Sequence, residues 1–231
     1  MGVFNLRWNI LVGYGPLFLQ GLLMTLKLTV ISLSGGLALG VGLGLIASTT
    51  DSPRPASALG VASWKLLRGV TRAYVGFFRG TPLFVQILLV HFALMPMLVQ
   101  PEGGLLLSGE AAREFRQNHG AFFSGALALT LNAGACVSEI LRAGIHSIHG
   151  GQTQAAYSIG LTHAQAMRYI VLPQALRRMV PALVNEGVTL VKDSSLVPAI
   201  GLAELALAAR TVAGAYSRYW GRTFSSRRSI S

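Results

Sequence analysis

The organisation of this chain is decided by residues 151–196, which read GQTQAAYSIGLTHAQAMRYIVLPQALRRMVPALVNEGVTLVKDSSL. Ala155–Ile159 suits a short helix, and Gly160 tolerates the left-handed conformation that ends one. Thr162 can cap a second helix, and Gln165 stands three residues later, at the spacing of a capping box. The spacing therefore predicts two short helices that meet at a turn.

The same stretch carries a family pattern. In the EAA loop of permease subunits of ABC importers, Glu-Ala-Ala is followed by three residues, Gly, nine residues, Ile, one residue and Leu-Pro. This sequence resembles that pattern at every spacing and departs from it once, since Gln154 stands where the pattern has Glu. The residues at the pattern's positions are Gln154, Ala155, Ala156, Gly160, Ile170, Leu172 and Pro173. Pro173 is expected to close the second short helix and open the next one.

Further segments resemble the polar amino acid branch of that family, from about Gly21 to Leu205. They are RGTPLFVQ (79–86), SEILRAGI (138–145), LPQALRRMVP (172–181), NE (185–186) and KDSSLV (192–197). The resemblance implies an all-α polytopic membrane helical bundle, the five-span type I ABC importer permease. It also implies the function of the chain, which is transport of polar amino acids by alternating access. The expected location is the bacterial inner membrane, and no enzymatic activity is expected of the chain itself.

The resemblance implies four kinds of partner: an ABC ATPase subunit inside, a second permease subunit (identical or homologous), an extracytoplasmic solute-binding protein, and the lipid bilayer. The sequence has no GxxxxGK[ST] phosphate loop and no acidic cluster for magnesium, so ATP hydrolysis is expected from a separate subunit.

The EAA loop, about residues 151–173, would then be the coupling helix that docks into the ATPase. A helix lying on the lipid surface remains an alternative for the same segment. The coupling residues implied are Gln154, Ala155, Ala156, Ile159, Gly160, Met167, Ile170, Leu172 and Pro173.

Composition independently indicates a membrane protein, because 52% of the residues are hydrophobic and only 12% are charged. A net charge of +11 would suggest nucleic acid binding in a soluble protein. Here the cations fall between apolar runs, where they determine topology, so no nucleic acid partner is expected. The single cysteine, Cys136, excludes an internal disulfide.

The apolar runs predict about four membrane spans. They are Leu28–Ala47, which follows Lys27, then Leu83–Val99 extended from about Val70, Ala121–Leu141 and Gln174–Pro198.

Two features within the spans predict helix geometry. Gly36, Gly40 and Gly44 recur every fourth residue in the first span, which predicts a face that a neighbouring helix approaches closely. Arg79–Pro82 interrupts the second span, with Thr81 expected to cap a new helix and Pro82 to be its first residue.

Loop charges predict the orientation of the spans. Residues 51–72 carry an excess of cations and are predicted inside, as is the loop around Gln154, since no acid occurs between Arg142 and Arg178. The predicted loop Pro101–Gly120 has more acids than cations and is placed outside. The amino terminus is therefore predicted outside.

A charged group inside lipid costs a few kcal/mol, so polar residues in the spans are expected to face the bundle or a water-filled cavity. The candidates for the substrate pathway or gate are Arg79, Asn132, Asn185, Glu186, Lys192, Asp193, Ser194 and Ser195. Arg79 could instead be an interfacial anchor, and Asn132 a helix contact. Glu139 is expected to pair with Arg142, and His91 to be a packing residue, since no spacing indicates a metal or cofactor site.

After GLAEL (201–205), the family has another apolar span, and residues 206–231 are expected to form a basic tail in its place. The chain is thus divided into a permease domain, 1–205, and this tail. Two other functions stay open: a truncated, non-transporting remnant or accessory membrane protein, and an ion-coupled secondary amino acid carrier.

Overall fold

The computed structural model of this protein describes residues 13–48 and 58–214. Within these ranges the chain forms helices joined by short turns, with one isolated bridge between Val99 and Leu107. The predicted all-α class is confirmed. The helices are α1 (Gly15–Ser48), α2 (Ala58–Gly80), α3 (Leu83–Leu98), α4 (Gly109–His146), α5 (Gly150–Ser158), α6 (His163–Ile200) and α7 (Leu205–Gly214).

Two helices, α1 and α4, are each long and apolar enough to cross a membrane. The pair α2 and α3 meets this condition jointly but is bent by 110° at its break, and the pair α6 and α7 is bent by 61°. Counting each bent pair as one span gives four spans within residues 13–48 and 58–214, which matches the number predicted from the apolar runs.

The predicted glycine face of α1 is a close contact with α4. A Cβ atom at Gly36 would lie 2.6 Å from that of Ala133, and one at Gly40 would lie 2.5 Å from that of Val137. Because both residue numbers increase together along the contact, α1 and α4 run parallel. The chain between them therefore crosses back once, through α2 and α3.

Helix α6 runs antiparallel to α4, since Gly144 lies against Met179 and Gly125 lies against Val197. Two apolar clusters fill the space along α4. One includes Leu28, Ile87, Leu129 and Leu190, and the other includes Leu141, Ile145, Val171 and Met179. The turn after α5 thus lies at the same end of the bundle as the carboxyl end of α1, and residues 99–108 lie at the opposite end. This relative arrangement agrees with the predicted topology.

The first span begins earlier than predicted, at Gly15 rather than Leu28. Lys27 does not interrupt the helix, because its ammonium group lies 5.1 Å from the centroid of the Phe122 ring, where the cation is stabilised by the aromatic face.

The predicted outer loop Pro101–Gly120 is wrong beyond Ser108, since α4 begins at Gly109. The polarity of the segment favours a loop, but its residues are mostly good helix formers, and they continue the third span beyond its apolar part. Ala112 is buried there in a small cluster with Met95 and Val99, which anchors the extension to α3.

The predicted roles of two residues at helix boundaries are also corrected. Thr81 does not cap α3, because Pro82 occupies the N-cap position and the Thr81 hydroxyl donates to the Phe77 carbonyl instead. Pro173 does not close a helix, because α6 continues through it after a π-helical turn, Met167–Val171. The wider turn accommodates a proline ring that would clash with the preceding carbonyls of a regular helix.

Helix α7 begins at Leu205, and its start is held by a buried carboxylate. Glu204 accepts hydrogen bonds from the backbone N–H groups of Ala206 and Leu207 at 2.8 and 3.1 Å, and from the Thr25 hydroxyl at 3.1 Å. The part of the predicted tail beyond Gly214 lies outside the described residues, as do Asp51 and Arg54.

We expect Gly40→Ala to lower the free energy of unfolding by about 1–3 kcal/mol, because its methyl group would overlap Val137. Gly42→Ala is the matched control, since a Cβ atom there has no neighbour within 4 Å. Thermal unfolding in detergent measures both variants. Equal melting temperatures for the two would contradict the close contact.

Candidate functional site

The turn that resembles the EAA loop has the predicted local structure. Helix α5 ends at Ser158, and Gly160 adopts a φ of +84°, in the left-handed region. Thr162 Oγ1 accepts from the Gln165 N–H at 3.3 Å, and Gln165 Oε1 accepts from the Thr162 N–H at 2.8 Å. The predicted capping box is confirmed.

The predicted coupling residues divide by burial into an inner and an outer group. Ala156 is fully buried, and Met167 and Leu172 pack on the apolar cluster around Val171. Ile170 is half-buried. The outer group is exposed and comprises Gln154, Ala155, Ile159, Gly160 and Pro173. Among them Ile159 is the large apolar residue, and it is 75% exposed.

Three side-chain contacts, which no local motif of the sequence indicates, connect the turn and the segment before it to α6. Tyr157 Oη lies 2.8 Å from His163 Nδ1, so the two sides of the Gly160 turn are bridged. Arg178 Nη1 donates to the Ser147 carbonyl at 2.6 Å, and Gln174 Nε2 donates to Gln152 Oε1 at 3.4 Å. The segment before the turn is therefore attached to α6 at two further points.

A second polar cluster surrounds the break between α2 and α3. In a continuous helix the Phe78 carbonyl would accept from the backbone N–H of residue 82, but Pro82 has none. Two side chains supply the missing donor. Asn132 Nδ2 donates to this carbonyl at 3.2 Å, and Gln86 Nε2 donates to it at 2.8 Å.

Gln86 is the centre of this cluster and is almost completely buried. Its amide nitrogen also donates to the Thr81 carbonyl at 3.0 Å, and its oxygen accepts from Asn132 at 3.1 Å. Tyr74 adds a further link, because its hydroxyl donates to the Leu131 carbonyl at 2.6 Å. Asn132 is thus in a helix contact, one of its two predicted roles. Gln86 was inside the quoted RGTPLFVQ segment, and its position four residues after Pro82 was the signal for its role.

The charged residues nearest the break are Arg79, Glu139 and Arg142. Arg142 forms the predicted pair with Glu139 through two hydrogen bonds, of 2.6 and 3.0 Å. Arg79 approaches the same carboxylate, with Nη1 3.8 Å from Oε1. The Glu139 carboxylate therefore interacts with two guanidinium groups, and one of them, that of Arg79, comes from α2.

The predicted pathway residues of α6 lie on two different faces. Glu186 and Asp193, seven residues apart, are half-buried, and Glu186 lies beside Cys136 of α4. Asn185 and Lys192 are exposed on the neighbouring face. The structure thus brings Glu186 to the same side of α4 as Asn132 and Glu139, and it leaves Asn185 and Lys192 away from them.

The two serines lie where α6 changes its helical form. Ser194 starts the 3-10 segment Ser194–Ile200, is buried, and donates to the Val191 carbonyl at 2.8 Å. Ser195 is half-buried. The predicted break of the helix is therefore a tightening of its last turns, and the left-handed Gly201, at φ +86°, ends it.

We expect Gln86→Leu to destabilise the break by about 1–3 kcal/mol, because buried carbonyls lose their donors. Asn132→Leu should do the same, and the double variant should cost more than the sum of the two, because either amide alone still donates to the Phe78 carbonyl and the double variant leaves it without a donor. Thr189→Val is the control, because its hydroxyl bonds only within its own helix. Thermal unfolding in detergent tests this, and strict additivity would sink the shared-acceptor interpretation.

This chain is similar in sequence to several permease proteins whose names concern amino acid transport. The arginine transport system permease protein ArtQ of Bacillus subtilis is 35% identical over 87% of this chain and 78% of its own length. The glutamate/aspartate import permease protein GltK of Escherichia coli O157:H7 is 34% identical over 91% and 84%. The glutamine transport system permease protein GlnP of Escherichia coli K12 is 33% identical over 86% and 77%.

Solved structures agree with the arrangement of the helices. The crystal structure of an amino acid ABC transporter with histidines superposes with a TM-score of 0.67 at 33% identity, covering 100% of this chain and 98% of the other. The MetNI methionine ABC transporter, at 23% identity and a TM-score of 0.60 over 92% and 94% of the two chains, shares the fold.

The family described as binding-protein-dependent transport system inner membrane component matches residues 40–213, from the glycine face of α1 to the end of α7. With three relatives above 30% identity, the match shows that this chain belongs to the family of binding-protein-dependent transport system inner membrane components.

Proposed function

We propose that this chain is the transmembrane permease subunit of an ATP-driven importer of polar amino acids. It forms the translocation pathway and couples it to a separate ATPase. The observation that carries the proposal is the position of the EAA-like turn, which lies at one end of the bundle and projects an exposed apolar residue, Ile159. The names of the relatives, which concern arginine, glutamate, aspartate and glutamine, favour a polar amino acid as the substrate.

The outer group of the turn is the proposed docking surface for the ATPase. Ile159, Ala155 and Gln154 are exposed beside the left-handed Gly160, so they can enter a groove on a partner. The inner group has an indirect role. Ala156 is inside this subunit, and together with Met167 and Leu172 it holds α5 against α6.

Coupling requires that movement of the docked turn reaches the spans. Helix α6 is continuous from His163 on the turn to Ile200, and it contains Glu186 and Asp193. The Tyr157–His163 and Ser147–Arg178 contacts fasten the turn to its first half. A displacement of the turn therefore moves α6 as a unit, which is the motion that alternating access needs.

The proposed pathway lies between α4 and α6, where the polar residues have both signs of charge. A polar amino acid has an ammonium and a carboxylate group, and Arg79 together with Glu186 and Asp193 offers a complement to each. Asn132 contributes an amide to the same side of α4. Ser194 and Ser195 lie where α6 tightens, and we assign the gate to this transition.

The exposed face of α6 is the proposed contact with a second permease subunit. Asn185 and Lys192 lie on this face, among the exposed side chains of Val184, Val188 and Val191. Polar residues within a span are rarely left facing lipid, so this face requires a cover. A second permease would provide it and complete the pathway. An extracytoplasmic solute-binding protein would deliver the substrate at the opposite end from the turn.

The absolute orientation is tested by single-cysteine labelling in a Cys136→Ser background. We expect Gln152→Cys to react only after the membrane is permeabilised, because the loop is predicted inside, and Glu114→Cys to react in intact cells. An outside-facing Gln152 would reverse the proposed topology.

We expect Ile159→Asp to abolish association with the ATPase and ATP-dependent uptake without loss of membrane insertion, because a charge would be desolvated in the docking groove. Gly160→Pro should do the same, since proline cannot adopt the left-handed conformation of the turn. Leu105→Asp is the control for association with the ATPase, because Leu105 is 69% exposed in the loop at the opposite end of the bundle.

Co-purification with the ATPase and amino acid uptake in proteoliposomes with the binding protein are the measurements. Normal recovery of the complex with Ile159→Asp would remove the coupling assignment. Uptake that needs a proton or sodium gradient, and not ATP, would identify the chain as an ion-coupled carrier instead.

A further inference from the structure

We propose that the end of α3 and α4 opposite the EAA-like turn is a binding site for the headgroup of an anionic phospholipid. A cavity of about 380 Å³ lies there, between α3, the following loop and the first three turns of α4. Its polar lining comes from His91, Arg113, Arg116 and Gln117. This site is separate from the proposed pathway and from the docking surface for the ATPase.

The cavity is cationic, and its charge is not balanced by the residues around it. Neither Arg113 nor Arg116 has a carboxylate within 4 Å in the described part of the chain. Glu110 and Glu114 belong to the same helix, but neither lines the cavity. Guanidinium groups bind phosphate through paired, charge-assisted hydrogen bonds. The lining therefore favours a phosphate group as the occupant.

His91 adds a directed polar group. The Ser124 hydroxyl donates to the Gly120 carbonyl at 2.8 Å, so its oxygen accepts from His91 Nδ1 at 3.0 Å. With Nδ1 as the donor, Nε2 is the ring nitrogen left for a ligand. In the neutral imidazole it accepts a hydrogen bond, as from a hydroxyl of a glycerol headgroup.

The cavity lies at the depth of lipid headgroups. Residues 120–138 of α4 contain no charged side chain, and 19 residues of helix span about 28 Å, close to the thickness of the hydrocarbon core. Arg116 and Arg113 precede this stretch by four and seven residues, about 6 and 10 Å along the axis. Their guanidinium groups are therefore at the level of phosphates.

Two exposed aromatic rings lie beside the cavity, and they favour a lipid over a free anion as its occupant. Phe123 follows Arg116 by seven residues on the same face of α4 and is 49% exposed. Phe92, next to His91, is 66% exposed. An acyl chain would cover both rings when the phosphate is bound, whereas inorganic phosphate would leave them uncovered. These two rings are the reason to assign a phospholipid.

The test uses the full chain in nanodiscs of phosphatidylcholine, with and without a fifth of phosphatidylglycerol. We expect phosphatidylglycerol to raise the melting temperature by several degrees, because a ligand of the folded state stabilises it. Arg113→Gln combined with Arg116→Gln should remove most of this rise and leave the melting temperature in pure phosphatidylcholine unchanged. Arg168→Gln combined with Arg177→Gln, at the other end of the bundle, should keep the rise.

Native mass spectrometry of the unmutated chain gives an independent readout, which stands even where the double variant fails to fold. We expect phosphatidylglycerol to be retained in preference to phosphatidylcholine from an equimolar mixture. Equal retention, or a full rise in melting temperature in the double variant, would overturn the proposal. So would equal stabilisation by millimolar inorganic phosphate in detergent, which would indicate a free-anion site. A further outcome would also overturn it. If the double variant keeps the rise in melting temperature but binds the solute-binding protein more weakly, the cavity is a contact with that protein.

Discussion

A backbone carbonyl that loses its helical partner inside a membrane must find another donor within the protein, because no water is present to replace it. At Phe78 this requirement arises from one residue, Pro82, and it is met from two directions, by Gln86 on α3 and Asn132 on α4. The bend between α2 and α3 is therefore fixed relative to α4. The position of Arg79, and that of the cavity beside His91, both depend on that bend.

The second constraint is the absence of side chains on one face of α1. With glycine at three successive turns, the backbone of α1 approaches α4 closely enough to contact Ala133, Val137 and Leu141 directly. Helix α4 is then enclosed by α1 on one side and by α2, α3 and α6 on the others. The two polar residues Asn132 and Glu139 both have partners there. Asn132 donates to Phe78 and Gln86 across the helix interface, whereas Glu139 pairs with Arg142 of its own helix and is approached by Arg79 of α2.

Features that depend on near neighbours in the chain could be predicted from the sequence. The left-handed Gly160, the Thr162–Gln165 capping box and the Glu139–Arg142 pair each involve residues within a few positions. Features set by distant residues could not. Thr25 and Glu204 are 179 positions apart, and no local pattern relates them. The polar start of α4 could not be predicted either. Outside the hydrocarbon layer a span no longer needs an apolar surface, so polarity there does not distinguish a helix from a loop.

The π-helical turn at Met167–Val171 makes α6 sensitive to insertions and deletions. Such a turn contains one residue more than a regular turn, so the faces on its two sides are offset by about 100°, the rotation of one residue. The face of the turn at Thr162 and the face that carries Glu186 are thus aligned by a single additional position. Deletion of Tyr169 alone would keep every proposed coupling and pathway residue, yet it would rotate the two halves of α6 relative to each other. A substitution in this segment leaves the alignment of the two faces unchanged, whereas an insertion or deletion alters it.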